Sequence, residues 1–527
     1  MKIAQIADAV TAGALDTAWL YRTLEPASAF GRRAFESIEP FRPGEETAAA
    51  ARSEHLAKLA DAYTPERLEA MREALRISPD PLPAIARASM GETLDDPNLL
   101  ELLRFLDAAK RVEFVPFGEG AARVMRELEP GRAGKFGFYL SDSLSSALAK
   151  AREHADLSQA AYDSARGRLA QRVGAQLDRD DAGSGEFIVM RAGVSALPEG
   201  VRVVREAPTY FLCELELDEE TLAALARRDD AAQALAQAEQ HERERLTGTV
   251  RAALAELEAL LEAMSSADVD LAQARFVQTY ACTPAQMTQT PQVRFESGTY
   301  LPLAAQLAAQ GRRYEPISVD LHEAAAITGP NMGGKSAALR ACGFIALLAA
   351  FGIPVPAQNA ACAIFDDISW LGTGAHEDTG GLLSSYASEV VRLTELLARP
   401  ARRQFLLLDE FARTTTPHEG GALLVAVLRA LKNRGRLAFA ATHLEGVATH
   451  AGVAHYAVRG LRELPAAGAK PGDLAAALDA LSQNMDYSIV PVDGGYYHKQ
   501  SDALALAQLL GLDEDIVADA KEASWTP

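Results

Sequence analysis

Cysteine is scarce in this 527-residue chain, and its four copies, Cys213, Cys282, Cys342 and Cys362, stand too far apart for a zinc pattern or a disulfide framework. They read as reduced core thiols, which points to the cytosol. No apolar run is long enough to span a bilayer, and residues 1–8 hold no uninterrupted apolar stretch for export. Positive charge is short too: 52 Lys and Arg face 72 Asp and Glu, a net charge of −20. That balance argues against a surface broadly devoted to nucleic acid, because phosphate binding relies on cations that displace counterions. The cations gather locally at Arg32-Arg33, at Arg399 with Arg402-Arg403, and at Arg429, Lys432, Arg434 and Arg436, and each group reads first as a solvated helix or turn face. At 48% hydrophobic residues, the chain has the makings of more than one globular core.

Against these absences stands one stretch of dense chemistry, Gly329-Pro330-Asn331-Met332-Gly333-Gly334-Lys335-Ser336. The spacing G-x-x-x-x-G-K-[ST] lets backbone amides turn inward around phosphates, with Lys335 reaching the β- and γ-phosphates and the Ser336 hydroxyl reaching Mg²⁺. An apolar, strand-like run ending at Thr328 precedes it, and an apolar helix predicted over 337–350 would turn its positive end to the anion. Downstream, Phe405-Leu406-Leu407-Leu408 reads as a strand covered on both faces that ends in Asp409 and Glu410. Asp409 is then placed to hold the Mg²⁺ shell and Glu410 to polarise an attacking water. A further strand over 437–441 leads into Thr442-His443, where a neutral imidazole would contact the γ-phosphate or its water.

The cradle with Pro330-Asn331-Met332 inside it, the Asp409-Glu410 pair followed by Arg413 and Thr415, the triplet Ala441-Thr442-His443 and the segment Ser384-Ser385-Tyr386-Ala387-Ser388-Glu389-Val390 together resemble the ATPase domain of the MutS family. The resemblance implies an ATP and Mg²⁺ site of ABC type shared between two ATPase domains, with Ser384 reaching the γ-phosphate held by the other copy. It therefore implies a homodimer or a paralogous partner. It also implies that Tyr314 stacks on the adenine; read alone, Tyr314 is equally a core tyrosine, and Ser384 or Ser385 is equally an N-cap. The chain departs from the family where Phe411-Ala412-Arg413-Thr414-Thr415-Thr416 replaces a loop that usually carries two glycines, and where Trp370 replaces a common arginine. Residues 501–512 resemble the family's closing helix, and 513–523 read as a further amphipathic helix.

Upstream, helical periodicity is predicted over 14–24, 45–63, 65–75 and 98–112, and two long alanine-rich helices over 143–178 and 219–264. Between those two, β-rich runs at 187–190, 201–204 and 210–215 form a small insert. The charge run starting at Glu239 reads as a solvated helix face. The expected architecture is multidomain: a mostly helical core over 1–140, lever helices with a small β insert over 141–285, and an α/β P-loop ATPase and dimerisation domain over 286–527.

In the mismatch-reading branch, a Phe-x-Glu wedge stacks into DNA. Here Phe117-Gly118-Glu119 matches the tripeptide but lies between helices, so this chain reads as a divergent, short branch without that domain. Two readings of what the levers grip follow. One is a DNA-associated clamp of mismatch repair or recombination; the other is a protein-remodelling ATPase that reactivates an adenosylcobalamin-dependent lysine aminomutase, as a stand-alone branch resembling this one does.

Overall fold

The computed structural model describes residues 1–134, 137–180, 185–330, 334–372, 385–461, 485–492, 507 and 512–522. The chain divides into two compact units, one formed by 1–76 and 265–527, the other by 77–264. Neither cut falls at the expected 140 or 285. The N-terminal 76 residues share a core with the C-terminal half, a long-range association that helical periodicity cannot encode.

In the first unit the N-terminal helices are α1 (Ala9–Ala14), α2 (Thr17–Thr23), α3 (Ala29–Ser37), α4 (Glu46–Ala62) and α5 (Pro65–Arg76). The helix expected over 14–24 is shorter than its periodicity because Asp16 adopts a left-handed φ of 51° and separates α1 from α2. The Asp8 carboxylate caps α1 by accepting from Thr11 N, and the Ser28 hydroxyl caps α3 by accepting from Gly31 N; each satisfies an amide that the helix leaves free.

The second unit holds α6 (Leu82–Ser89), α7 (Asp96–Ala109), α8 (Glu119–Leu128), a two-stranded pairing of β1 (Arg132–Ala133) with β2 (Gly137–Phe138), and α9 (Ser146–Leu177). The β insert follows as β3 (Phe187–Met190), β4 (Val201–Glu206) and β5 (Tyr210–Leu215), in the antiparallel order β3-β5-β4. Phe187, Val189, Val201 and Cys213 point to one face and bury against Leu169 and Val173 of α9, the alternation that a one-sided sheet requires. The return helix α10 (Glu219–Ala252) stops where Ala253 leaves helical geometry, and α11 (Leu254–Thr279) runs 15 residues past the expected end at 264. The charge run from Glu239 is only partly a solvated face. Glu242 is 3% exposed and pairs with Arg245 at 2.7 Å, while Arg243 reaches Asp96 at 2.8 Å. Phe117-Gly118-Glu119 forms the N-terminal cap region of α8, with Gly118 at the cap and Glu256 Oε2 accepting from Gly120 N.

The C-terminal half of the first unit is two-sheeted. A smaller sheet, in the order β6-β10-β7-β8, uses β6 (Gln286–Thr288), β7 (Val293–Gly298), β8 (Ile317–Leu321) and β10 (Gln358–Ala363), with α12 (Leu301–Ala309) between β7 and β8. The larger one contains β9 (Ala325–Thr328), β11 (Asp367–Leu371), β12 (Gln404–Asp409), β13 (Leu437–Ala441), β14 (Ala454–Leu461) and β15 (Met485–Pro491), ordered β11-β12-β13-β9-β14-β15. Its first five strands are parallel and β15 closes the edge antiparallel.

Helices α13 (Lys335–Ala350), α14 (Ser385–Ala398), α15 (Pro417–Asn433) and α16 (Val447–Ala451) complete this half, with a last helix at Glu514–Glu522 inside the expected 513–523. From residue 341 onward helix α13 is apolar on every side, as a buried helix segment must be, and residues 341–350 are all buried. At Gly343 a Cβ would lie 2.6 Å from Leu407 Cδ1, so the missing side chain is what lets α13 approach β12. Helix α15 starts on an N-cap: the Thr416 hydroxyl oxygen accepts from Glu419 N, and the hydroxyl donates to Glu419 Oε2 at 2.9 Å.

The free edge of β11 is covered by the N-terminal segment, since Ile368 N donates to Ile6 O at 2.7 Å and Trp370 N to Thr11 Oγ1 at 3.0 Å. Asp8 fastens the same segment to α14 through Arg392 at 2.6 Å and through Arg399. Burial alone would raise the Asp8 pKa, but the Thr11 amide and hydroxyl and the two guanidinium groups bring it down to about 2. A depressed carboxylate stabilises the fold above its unfolded pKa and loses that contribution as pH falls through the folded value. We expect Asp8→Asn to cost about 2 kcal/mol at pH 7. In urea unfolding at stepped pH, the gap to wild type should hold down to about pH 5 and close below pH 4; a gap independent of pH would remove the ion pairs as its cause.

Candidate functional site

The cradle is built between β9, β14 and α13. Gly329 leaves β9 with φ 144°, and a Cβ there would meet Val458 Cβ of β14 at 3.0 Å. Gly334 enters α13 with φ 89°, facing Tyr487 Cδ1 of β15, which would lie 3.2 Å from an added Cβ. Both positions are left-handed and crowded, so glycine is required by conformation and by space. Asn331, Met332 and Gly333 lie outside the described residues.

Lys335 opens α13 and is only 5% exposed; its ammonium donates to Gly329 O at 2.8 Å and Pro330 O at 3.0 Å. Burial lowers its pKa, while Glu410 and Asp409 act in the opposite direction. Ser336 donates its hydroxyl to Asp409 Oδ1 at 2.8 Å, joining the start of α13 to the end of β12. Asp409 is 8% exposed, and burial raises its pKa against the pull of Ser336, Arg340 and Lys335. One hydroxyl and one carboxylate meeting at this distance are the hard-oxygen pair that Mg²⁺ takes when phosphates supply further ligands. Among the described residues no group of three or more His, Cys, Asp or Glu forms an all-protein metal cage.

Glu410 steps off β12 with a φ of 53°, its amide bonded to Ala441 O of β13 at 3.0 Å, and its Oε2 takes the Arg413 guanidinium at 2.8 Å. Ala412 follows with φ 61°, the conformation that the more usual glycine adopts freely. His443 is exposed just beyond β13, where Thr442 N donates to Ile327 O of β9. Glu410, Arg413, Thr442 and His443 line a small, open cleft at the C-terminal ends of β12 and β13. The cradle, both acids and the histidine thus converge on one edge of a parallel sheet, the edge where such sheets bind ligands.

Tyr314 is not among them. Burial pushes its hydroxyl up to about 12, with the Tyr300 backbone working against that. Its neighbour Glu315 does reach the cradle's exit, accepting from Tyr487 N at 3.2 Å. Tyr487 and Val458 escaped the sequence reading because β14 and β15 carry no motif. Trp370 sits in β11 with the Arg340 guanidinium 5.7 Å from its ring, so a cation from α13 stands where the family commonly has one on the strand. The basic groups are largely engaged within the chain: Arg399 pairs with Asp367 and Asp8, Arg403 with Glu46, and Lys432 with Glu323. Ser384 lies outside the described residues.

This geometry defines an α/β domain built on a mostly parallel sheet. Residues 325–525 match the family model of MutS domain V. Among curated proteins it is similar to Endonuclease MutS2 of Halothermothrix orenii, 28% identical over 50% of this chain and 30% of that protein. It is also similar to Endonuclease MutS2 of Agathobacter rectalis, 27% identical over 51% and 31%. A third, Endonuclease MutS2 of Gemmatimonas aurantiaca, is 32% identical over 35% and 22%. The chain thus spans less than a third of the length of these relatives. No described helix is long and apolar enough to cross a membrane.

Proposed function

We propose that the chain binds and hydrolyses ATP at a P-loop site of ABC type, and that two copies close around the nucleotide to drive a clamp associated with DNA. The observation that carries this reading is the Ser336–Asp409 contact at 2.8 Å, with the Lys335 ammonium behind it and Glu410 beside it. Cradle amides and Lys335 hold the triphosphate. Ser336 and Asp409 hold Mg²⁺, which supplies charge compensation at the phosphates. Glu410 orients and deprotonates the attacking water, and His443 contacts the γ-phosphate side of the cleft. Tyr314 is proposed at the adenine and Ser384 at the γ-phosphate of the opposing copy.

ATP favours the closed pair because only there do Lys335 and the partner's Ser384 both contact the terminal phosphate; hydrolysis removes that differential affinity. The long helices α9 and α10, with their β insert, act as levers that respond to the state of the nucleotide site. Similarity to MutS2 supports DNA over a remodelled aminomutase as what they grip. Four buried free cysteines favour the cytosol as the working compartment.

The test is solution scattering of the full chain with a non-hydrolysable ATP analogue, followed by ATPase assays with duplex or branched DNA. Pairing on the analogue is expected, with DNA stimulation that falls steeply between about 50 and 200 mM salt. Single chains at saturating analogue would overturn the shared site. Stimulation by an aminomutase and not by DNA would overturn the DNA clamp.

A further inference from the structure

Glu389 is an ionisable residue that the proposed chemistry leaves unexplained. It lies early in α14, is 3% exposed, and its Oε2 accepts from Ala412 N at 2.8 Å. A carboxyl group so deeply buried needs a hydrogen-bond partner, and the Ala412 amide supplies one. Ala412 is two residues beyond Glu410, and both hold left-handed φ angles, 61° and 53°, that disfavour side-chain-bearing residues.

The loop between them is packed on two flanks. Phe411 is buried in the same apolar cluster as Leu393 and Leu396 of α14. On the other flank Ala412 O lies 2.7 Å from the place a Cβ on Gly420 of α15 would occupy, so the loop rests directly on that helix. Glu389 supplies the polar hold that keeps an alanine in a glycine's conformation.

We infer that Glu389 is a positioning residue: by holding Ala412 N it keeps the 410–412 loop in its strained form, and so sets where Glu410 presents its carboxylate. Because Glu389 belongs to α14, the placement of Glu410 follows that of the helix whose leading segment is proposed to meet the other copy's nucleotide. Loss of the contact lets Ala412 relax and Glu410 swing away, with the cradle and its lysine untouched. This inference rests on the ATPase reading given above.

The test uses the full chain and four variants: Glu389→Ala, Glu389→Gln, Ala412→Gly and Glu389→Ala with Ala412→Gly. Hydrogen exchange over residues 410–415 is read without nucleotide, fluorescent ATP-analogue binding gives affinity, and steady-state hydrolysis gives kcat. Removing a hydrogen bond to a charged group should make Glu389→Ala exchange roughly tenfold faster there. Its kcat should fall about tenfold or more with nucleotide affinity within about threefold of wild type. Glutamine keeps an acceptor in place and should stay within about threefold of wild type in both. Glycine at 412 removes the strain, so the double variant should recover part of the lost kcat.

Unchanged exchange in Glu389→Ala would overturn the inference, as would a glutamine variant that fails like alanine or a double variant with no recovery. Should the wild-type chain hydrolyse no ATP, the proposed function fails while exchange in the same variants still reads the Glu389 contact.

Discussion

Lys335→Ala should abolish measurable ATP turnover while leaving the fold intact. Among the described residues the ammonium donates to the Gly329 and Pro330 carbonyls and to no side chain, so no described packed side chain loses a hydrogen-bond partner when it goes. Its loss should cost on the order of 10³ in kcat, the scale of deleting a charged stabiliser from a water-poor site. A second effect has a definite sign. Lys335 holds down the pKa of Asp409, whose carboxyl burial already raises. Removing the cation lifts that pKa further, so the variant should need higher pH or more Mg²⁺ to bind nucleotide. Titration of a fluorescent ATP analogue against Mg²⁺ between pH 6 and 8 checks this, and normal hydrolysis by Lys335→Ala would take the residue out of the mechanism.

Glu410→Gln should separate binding from chemistry. The amide preserves the shape of the side chain and an acceptor for Arg413, which now holds the carboxylate at 2.8 Å, but it cannot take a proton from water. Turnover should fall by roughly 10² to 10⁴ with analogue affinity within about threefold of wild type, the pattern of a group that acts only in the transition state. ATP should then accumulate on paired chains, visible as a dimer by light scattering in the presence of unmodified ATP. A variant that turns over normally would pass the role of base to His443, the other titratable group on the cleft.

The cradle was legible because its chemistry is local. Glycines at fixed offsets from Lys335 and Ser336 constrain backbone that is contiguous in the chain, and the structure gives Gly329 and Gly334 positive φ angles. Asp409 and Glu410 were legible for a related reason: a strand buried on both faces has no polar position except its end, and β12 ends at Asp409. The β insert between α9 and α10 was legible from its short β-rich runs. The split at Asp16 and the continuation of α11 to Thr279 were missed, since the hydrophobic period passes through the first and the second carries no terminating signal until Ala281, at φ 48°.

Glu389, Tyr487 and Val458 belong to a different class. Each matters through a neighbour more than 20 residues away, Ala412 for the first, Gly334 and Gly329 for the others. Reading along the chain determines which residues can bind phosphate and metal, because covalent spacing sets their reach. Only packing in three dimensions brings Ser336 to Asp409, covers β11 with residues 6–11, and holds Ala412 in a conformation its own side chain disfavours. Those contacts close loops of many residues, and their energy exists only once the core that joins 1–76 to 265–527 has formed.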